Sequence, residues 1–174
     1  MAIDISGILS CENKEVVEQV QVGYQSFSSE LGDFPIMKAK PFALRISNFE
    51  NKRILISGQA KLTVSIPCGR CLADVLTEIS FQIDRELHIT EDGIKDEDLE
   101  EAAYLNGVYL DADRLIYEEI LVNWPMNVLC KDNCKGICKV CGQNLNRGDC
   151  DCQKTEPDPR MAAIQDIFNQ YKEV

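Results

Sequence analysis

Apolar and polar residues alternate most clearly between Phe42 and Ile66. Phe42, Leu44 and Ile46, then Ile54, Ile56, Ala60, Leu62, Val64 and Ile66, fall on one side of a pleated strand pair. Arg45, Arg53, Ser57, Gln59, Lys61, Thr63 and Ser65 fall on the other. The break at residues 48–52, with Asn51 inside it, predicts a hairpin turn, and Gly58 at an inward position fits a bend. Pro67 ends the second strand, Cys68-Gly69-Arg70-Cys71 forms a corner, and a third strand carries Val75, Ile79, Phe81, Ile83, Leu87 and Ile89. A weaker alternation through Val16, Val20, Val22 and Tyr24 predicts an earlier strand. Residues 25–33 read as loop, and Pro35 stops any helix there.

The pattern changes after residue 100. Tyr104 to Leu110 predicts a short strand around Gly107. Asp111 then has the form of a helix N-cap, with Leu115, Ile116, Ile120, Leu121 and Trp124 on one stripe, Glu118 and Glu119 on the wet side, and Pro125 as the stop. Asp158-Pro159 predicts a last helix with Met161, Ile164, Phe168 and Tyr171 on one face. The predicted fold is α+β and mainly β: an antiparallel meander or partly closed barrel, with a C-terminal Cys-rich metal-binding module and flanking helices. Its expected division is residues 1–125, a mainly antiparallel β domain holding an acidic linker 91–101 and helix 111–124, and residues 126–174, a zinc module plus the last helix.

Charge adds an asymmetry to this picture. The chain of 174 residues has a net charge of −11, which argues against a general polyanion binder. Yet residues 38–73 carry Lys38, Lys40, Arg45, Lys52, Arg53, Lys61 and Arg70 against Glu50 alone. Glu91, Asp92, Asp96, Glu97, Asp98, Glu100 and Glu101 oppose only Lys95 further on. No basic, apolar leader opens the sequence and no long apolar run follows, so a soluble protein of the cytoplasm is expected, with no membrane partner.

Cysteine is the chemistry-bearing residue. Six of the nine cysteines lie between Cys130 and Cys152, and an odd number without a secretory leader points to a reducing compartment where thiols act as ligands. A Cys-x-x-Cys turn followed by Gly offers two thiolates to one tetrahedral ion, as in Cys138-Lys-Val-Cys141-Gly142, and Cys150-Asp-Cys152 supplies a second pair. Cys138, Cys141, Cys150 and Cys152 are therefore the most economical zinc tetrad. Cys130 and Cys134 are alternates, or could join Cys68 and Cys71 in a second site, and spacing does not choose between these. One zinc ion is expected, or two, with iron the lesser alternative. Cys68-Gly-Arg-Cys71 also has the spacing of a redox dithiol, but that chemistry wants the motif opening a helix after a parallel strand. His88 is the only histidine, and no phosphate-cradling loop or small-molecule site is legible, so a non-enzyme is expected.

The order of these features is itself distinctive. Pro67-Cys68-Gly-Arg-Cys71-Leu72, Trp124-Pro125-Met126, Leu129-Cys130, Cys134-Lys-Gly-Ile-Cys138-Lys-Val-Cys141-Gly-Gln-Asn-Leu-Asn146, Cys150-Asp-Cys152 and Asp158-Pro-Arg160 closely resemble the YceD family of large ribosomal RNA subunit accumulation proteins. The likeness is strongest from residue 60 to residue 164. It implies a bacterial, non-catalytic role in synthesis, processing or stability of 23S ribosomal RNA and in large-subunit biogenesis. The charge pattern makes Arg45, Arg53, Lys61 and Arg70 a candidate patch for RNA backbone or an acidic partner, while the acidic remainder suits a basic ribosomal or maturation protein; with the resemblance, large-subunit rRNA or the pre-ribosome is the expected partner. The rival readings are a thiol-redox protein using Cys68 and Cys71, and a zinc-stapled interaction domain unrelated to ribosomes.

Overall fold

The computed structural model describes residues 1–90, 93–96, 102–152 and 164. The chain opens with β1 (Ala2–Asp4) and the one-turn helix α1 (Ser6–Leu9), then β2 (Glu15–Val20), β3 (Ser26–Ser29), β4 (Gly32–Ala39), β5 (Phe42–Phe49), β6 (Arg53–Pro67), β7 (Asp74–Thr90) and β8 (Gly93–Asp96). β9 (Leu105–Asn106), β10 (Tyr109–Asp111) and helix α2 (Ala112–Val122) follow. The fold is mainly β, with antiparallel sheets that are not closed.

β6 is the spine of the main sheet. Along one edge it pairs with β7 over its whole length, from Arg53↔His88 to Pro67↔Asp74. Its other edge is shared: β5 pairs with it up to Gly58 and β4 from Leu62 onward, with β2 beyond β5 and β3 beyond β4. The meander of three long strands is thus present as the alternation implies. Ile54, Ile56, Leu62, Val64, Ile79, Phe81, Ile83 and Leu87 are all buried. Three residues join the paired Phe49 and Arg53: Glu50 (φ 55) and Asn51 (φ 54) lie in the left-handed region, and Lys52 N–H donates to the Phe49 carbonyl at 3.1 Å. Gly58 faces Leu44 on β5, where a Cβ would lie 3.1 Å from the Ala43 carbonyl oxygen, so a side chain there would push the strands apart by a few tenths of an ångström.

Three expectations are corrected. Residues 25–33 are not a loop: they lie largely in the β3–β4 hairpin, in which Phe27 pairs with Phe34. The Ser-rich composition conceals two aromatic anchors, because Phe27 and Phe34 pack on Trp124 at ring-centroid distances of 5.0 and 4.7 Å. Within the acidic run, residues 93–96 form β8 against the end of β7, and Asp96 is buried, accepting a hydrogen bond from the Tyr104 hydroxyl. Residues 91, 92 and 97–101 of that run lie outside the described residues.

Helix α2 starts at its expected cap: the Asp111 side chain accepts from the Asp113 and Arg114 amides. Leu115, Ile116 and Ile120 are buried, but so is Glu119, which holds Arg85 of β7 at 2.7 Å, whereas Leu121 is exposed. The helix faces the sheet with one paired carboxylate on its inner stripe. Of the expected last helix, only Ile164 is described; it is helical and exposed.

Candidate functional site

The corner between β6 and β7 closes on itself. Cys68 N–H donates to the Ala73 carbonyl at 2.8 Å, Leu72 N–H to the Cys68 carbonyl at 3.0 Å, and Leu72 takes φ 59, a left-handed conformation uncommon for leucine. The chain leaving α2 runs past this corner. Gly69 N–H donates to the Val128 carbonyl at 2.8 Å, Cys130 N–H to the Cys68 sulfur at 3.4 Å, and the Arg70 guanidinium to the Cys134 carbonyl at 3.2 Å. Gly136, at φ +78, comes so near that a Cβ would sit 3.1 Å from the Arg70 carbonyl oxygen.

This docking gathers Cys68, Cys71, Cys130 and Cys134, whose sulfurs all lie within 4.8 Å of one another. Cys68 and Cys134 are 3.8 Å apart, and Cys71 and Cys130 are 3.5 Å apart. Four sulfurs at about 2.3 Å from a tetrahedral ion stand about 3.8 Å from each other, so the group has the dimensions of a closed tetrathiolate. Cys68, Cys71 and Cys134 are buried and Cys130 is exposed.

The sulfurs of a second group, Cys138, Cys141, Cys150 and Cys152, also lie within 4.8 Å of one another. Its turn is knuckle-shaped: Gly142 N–H donates to the Cys138 carbonyl at 2.9 Å with φ +73, and Val140 N–H to the Cys138 sulfur at 3.4 Å. Asn146, which lies in sequence between Cys141 and Cys150 of this second group, reaches back to the first. Its side-chain amide donates to the Cys134 sulfur at 3.2 Å, and its carbonyl accepts from Lys135 N–H at 3.0 Å. Sequence spacing did not single out this asparagine, because its role depends on a loop folding back over a different group of cysteines.

The electrostatics suit sulfur anions. Backbone N–H groups of Arg70 and Cys71 pull the Cys68 thiol down to about 6, and those of Cys141 and Val140 do the same for Cys138. Burial raises Cys134, but the Asn146 amide and the Gly136 N–H outweigh it and leave the thiol below its usual range. Hydrogen bonding with Cys71 raises Cys130 to about 12, and with Cys141 raises Cys152 to about 12. Each group thus contains at least one sulfur readily ionised and at least one whose proton a bound cation would displace. Soft, crowded and N–H-supported thiols fit a borderline-soft metal ion.

The candidate basic residues are placed differently. Arg45 pairs with Glu15 at 3.0 Å, Arg53 with Glu86 at 2.8 Å, Lys61 with Glu78 at 2.7 Å, and Arg70 is turned onto the backbone of the Cys-rich tail. The three acids come from β2 and β7, which flank the basic strands. Lys38 and Lys40, with Lys61, line a shallow groove of about 330 Å³.

The family model for "Large ribosomal RNA subunit accumulation protein YceD" matches residues 56–168, from near the start of β6 through both cysteine groups. The chain belongs to the YceD family. It is 28% identical over 64 residues to the chloroplastic large ribosomal RNA subunit accumulation protein YCED homolog 1 of Arabidopsis thaliana, a stretch covering 37% of this chain and 20% of that protein. The YceD match therefore spans about a fifth of the plant relative's length. No solved structure matches the chain. Among the described residues, no helix is long and apolar enough to cross a membrane.

Proposed function

We propose that this YceD-family chain is a non-catalytic, cytoplasmic factor in the synthesis, processing or stability of large-subunit ribosomal RNA, and that zinc fixes its C-terminal tail as a recognition surface. The observation that carries this reading is the pair of four-sulfur groups, one of which joins the β6–β7 corner to the tail. Cys68, Cys71, Cys130 and Cys134 would hold one ion and Cys138, Cys141, Cys150 and Cys152 another, each as a closed structural site. In this scheme residues 1–125 are the sheet unit, residues 126–174 the module, and the first ion the link between them.

The partner is the pre-ribosome, reached through rRNA or through a basic ribosomal or maturation protein. Three of the four candidate RNA-contacting cations already have glutamate partners, and the net charge is −11. Both facts favour the protein route. Depletion in dividing cells, with quantification of mature and precursor 23S rRNA and sedimentation of the tagged chain, tests the reading. Loss of large-subunit rRNA with co-sedimentation on precursors is expected; unchanged rRNA and absence from every precursor fraction would sink it. Alkylation of the metal-loaded protein separates the redox alternative: slow, uniform labelling is expected, and one fast sulfur at Cys68 or Cys71 would favour dithiol chemistry instead.

A further inference from the structure

β7 is 17 residues long and pairs with β6 throughout, but on its other side only Leu87–Thr90 meet a strand, β8. From Asp74 to Glu86 its outer edge pairs with no strand among the described residues. In an antiparallel strand half of the backbone N–H and C=O groups face each side, so this edge is a row of unspent donors and acceptors. The other edge strands are short, with six residues in β2 and four each in β3 and β8. Edges are normally blunted by proline, by charged side chains, above all lysine, or by a bulge. Residues 74–86 contain neither proline nor lysine, their register with β6 is unbroken, and their one basic residue, Arg85, is turned onto Glu119, so the charges left on the edge are acidic.

Charge selects the occupant. The solvent face of the edge carries Asp74, Glu78, Asp84 and Glu86. Glu78 and Glu86 lean inward onto Lys61 and Arg53, while Asp74 and Asp84 stand opposite Pro67 and Ser57 and enter no ion pair among the described residues. A second copy added antiparallel about Ser80 would set Asp74 against Glu86, carboxylate on carboxylate, and a phosphate backbone would be repelled outright. An added strand with basic residues on the outer face and apolar residues on the inner one would meet Asp74 and Asp84 on one side. On the other it would cover half-buried Val75 and Thr77.

We propose that the open edge of β7 is a strand-addition site for an extended basic segment of a protein partner. It rests on the ribosome-assembly reading for the partner's identity, and on the edge alone for the mode of binding.

The probe is a synthetic peptide of about ten residues alternating arginine and valine, long enough to span most of the edge. Two further versions are N-methylated on alternate residues, one in each phase. Only one phase of amides can bond to β7, so one version should bind the intact chain about tenfold more weakly and the other nearly as well as the parent. Hydrogen exchange should slow at amides between 74 and 86 on binding, and Asp74→Lys with Asp84→Lys should weaken the parent peptide about tenfold while leaving the unbound chain's exchange pattern intact.

Equal binding by both methylated versions, protection at other residues, protection of the edge by a single-stranded RNA oligonucleotide, or crosslinking of two chains through β7 would each overturn the proposal. None of these results depends on the rRNA phenotype, so the two readings fail separately.

Discussion

Asn146 is a single side chain on which two parts of the tail depend. It donates to the Cys134 sulfur and accepts from Lys135 N–H, which orients that sulfur and supports a negative charge on it. Such outer partners are commonly worth tenfold or more in metal affinity. Asn146→Leu keeps the bulk and removes the donor, so competition with a chelating indicator should show about a tenfold loss at the group containing Cys134 and little change at the other. Gly136 is constrained twice, by φ +78 and by the Arg70 carbonyl oxygen. Gly136→Ala should cost about 1–2 kcal/mol from the left-handed backbone alone, read as a lowered thermal midpoint of the metal-loaded protein.

Among the elements, α2 is held to β7 by a largely buried ion pair. The Arg85 side chain is 16% exposed and the Glu119 side chain 7%, and removing one partner would strand the other. Arg85→Met should cost about 3–5 kcal/mol in chemical denaturation, and Arg85→Met with Glu119→Leu should recover most of it. This pair marks where sequence legibility ended. A 3.6-residue stripe finds Leu115, Ile116 and Ile120, but a helical period cannot say that Glu119 also turns inward, because its partner is 34 positions away on a strand. The same limit hid the ion pairs of Arg45, Arg53 and Lys61, whose acids lie on neighbouring strands. β5, β6 and β7 were legible because a strict period of two over long runs has few alternatives. The β3–β4 hairpin was not, because two phenylalanines among serines and glycines carry the burial without carrying a pattern. Candidate cysteines could be found by spacing, but their grouping depends on the tail reaching the β6–β7 corner, which no local rule encodes.

For the whole molecule, the two sulfur groups differ in what they join. Cys71 and Cys130 are 59 positions apart, while Cys138 to Cys152 is local. Cys68→Ser with Cys71→Ser should lower bound zinc from two ions to one and free the tail, exposing residues 126–134 to proteolysis. Cys150→Ser with Cys152→Ser should also remove one ion but leave the corner protected. Mass spectrometry of the intact chain and limited digestion read both outcomes. The pH response follows from the thiols. Cys68 and Cys138, drawn down to about 6, are ionised above that value and protonate as pH falls through it. Metal affinity should therefore fall as pH falls, because each proton regained by a sulfur competes with the ion, and fall more steeply once Cys68 and Cys138 begin to protonate. Cys130 and Cys152, raised to about 12, keep their protons at neutrality until a cation displaces them, so binding should release protons, measurable by calorimetry in buffers of different ionisation enthalpy.

The separation of Cys71 from Cys130 also sets an order of events during translation. Cys68 and Cys71, at the β6–β7 corner, are translated before Cys130 leaves the peptidyl-transferase centre. A nascent chain paused in between would carry these two thiols without their partners. Closure of the four-sulfur group can therefore only be a late step, one that reports the tail's arrival.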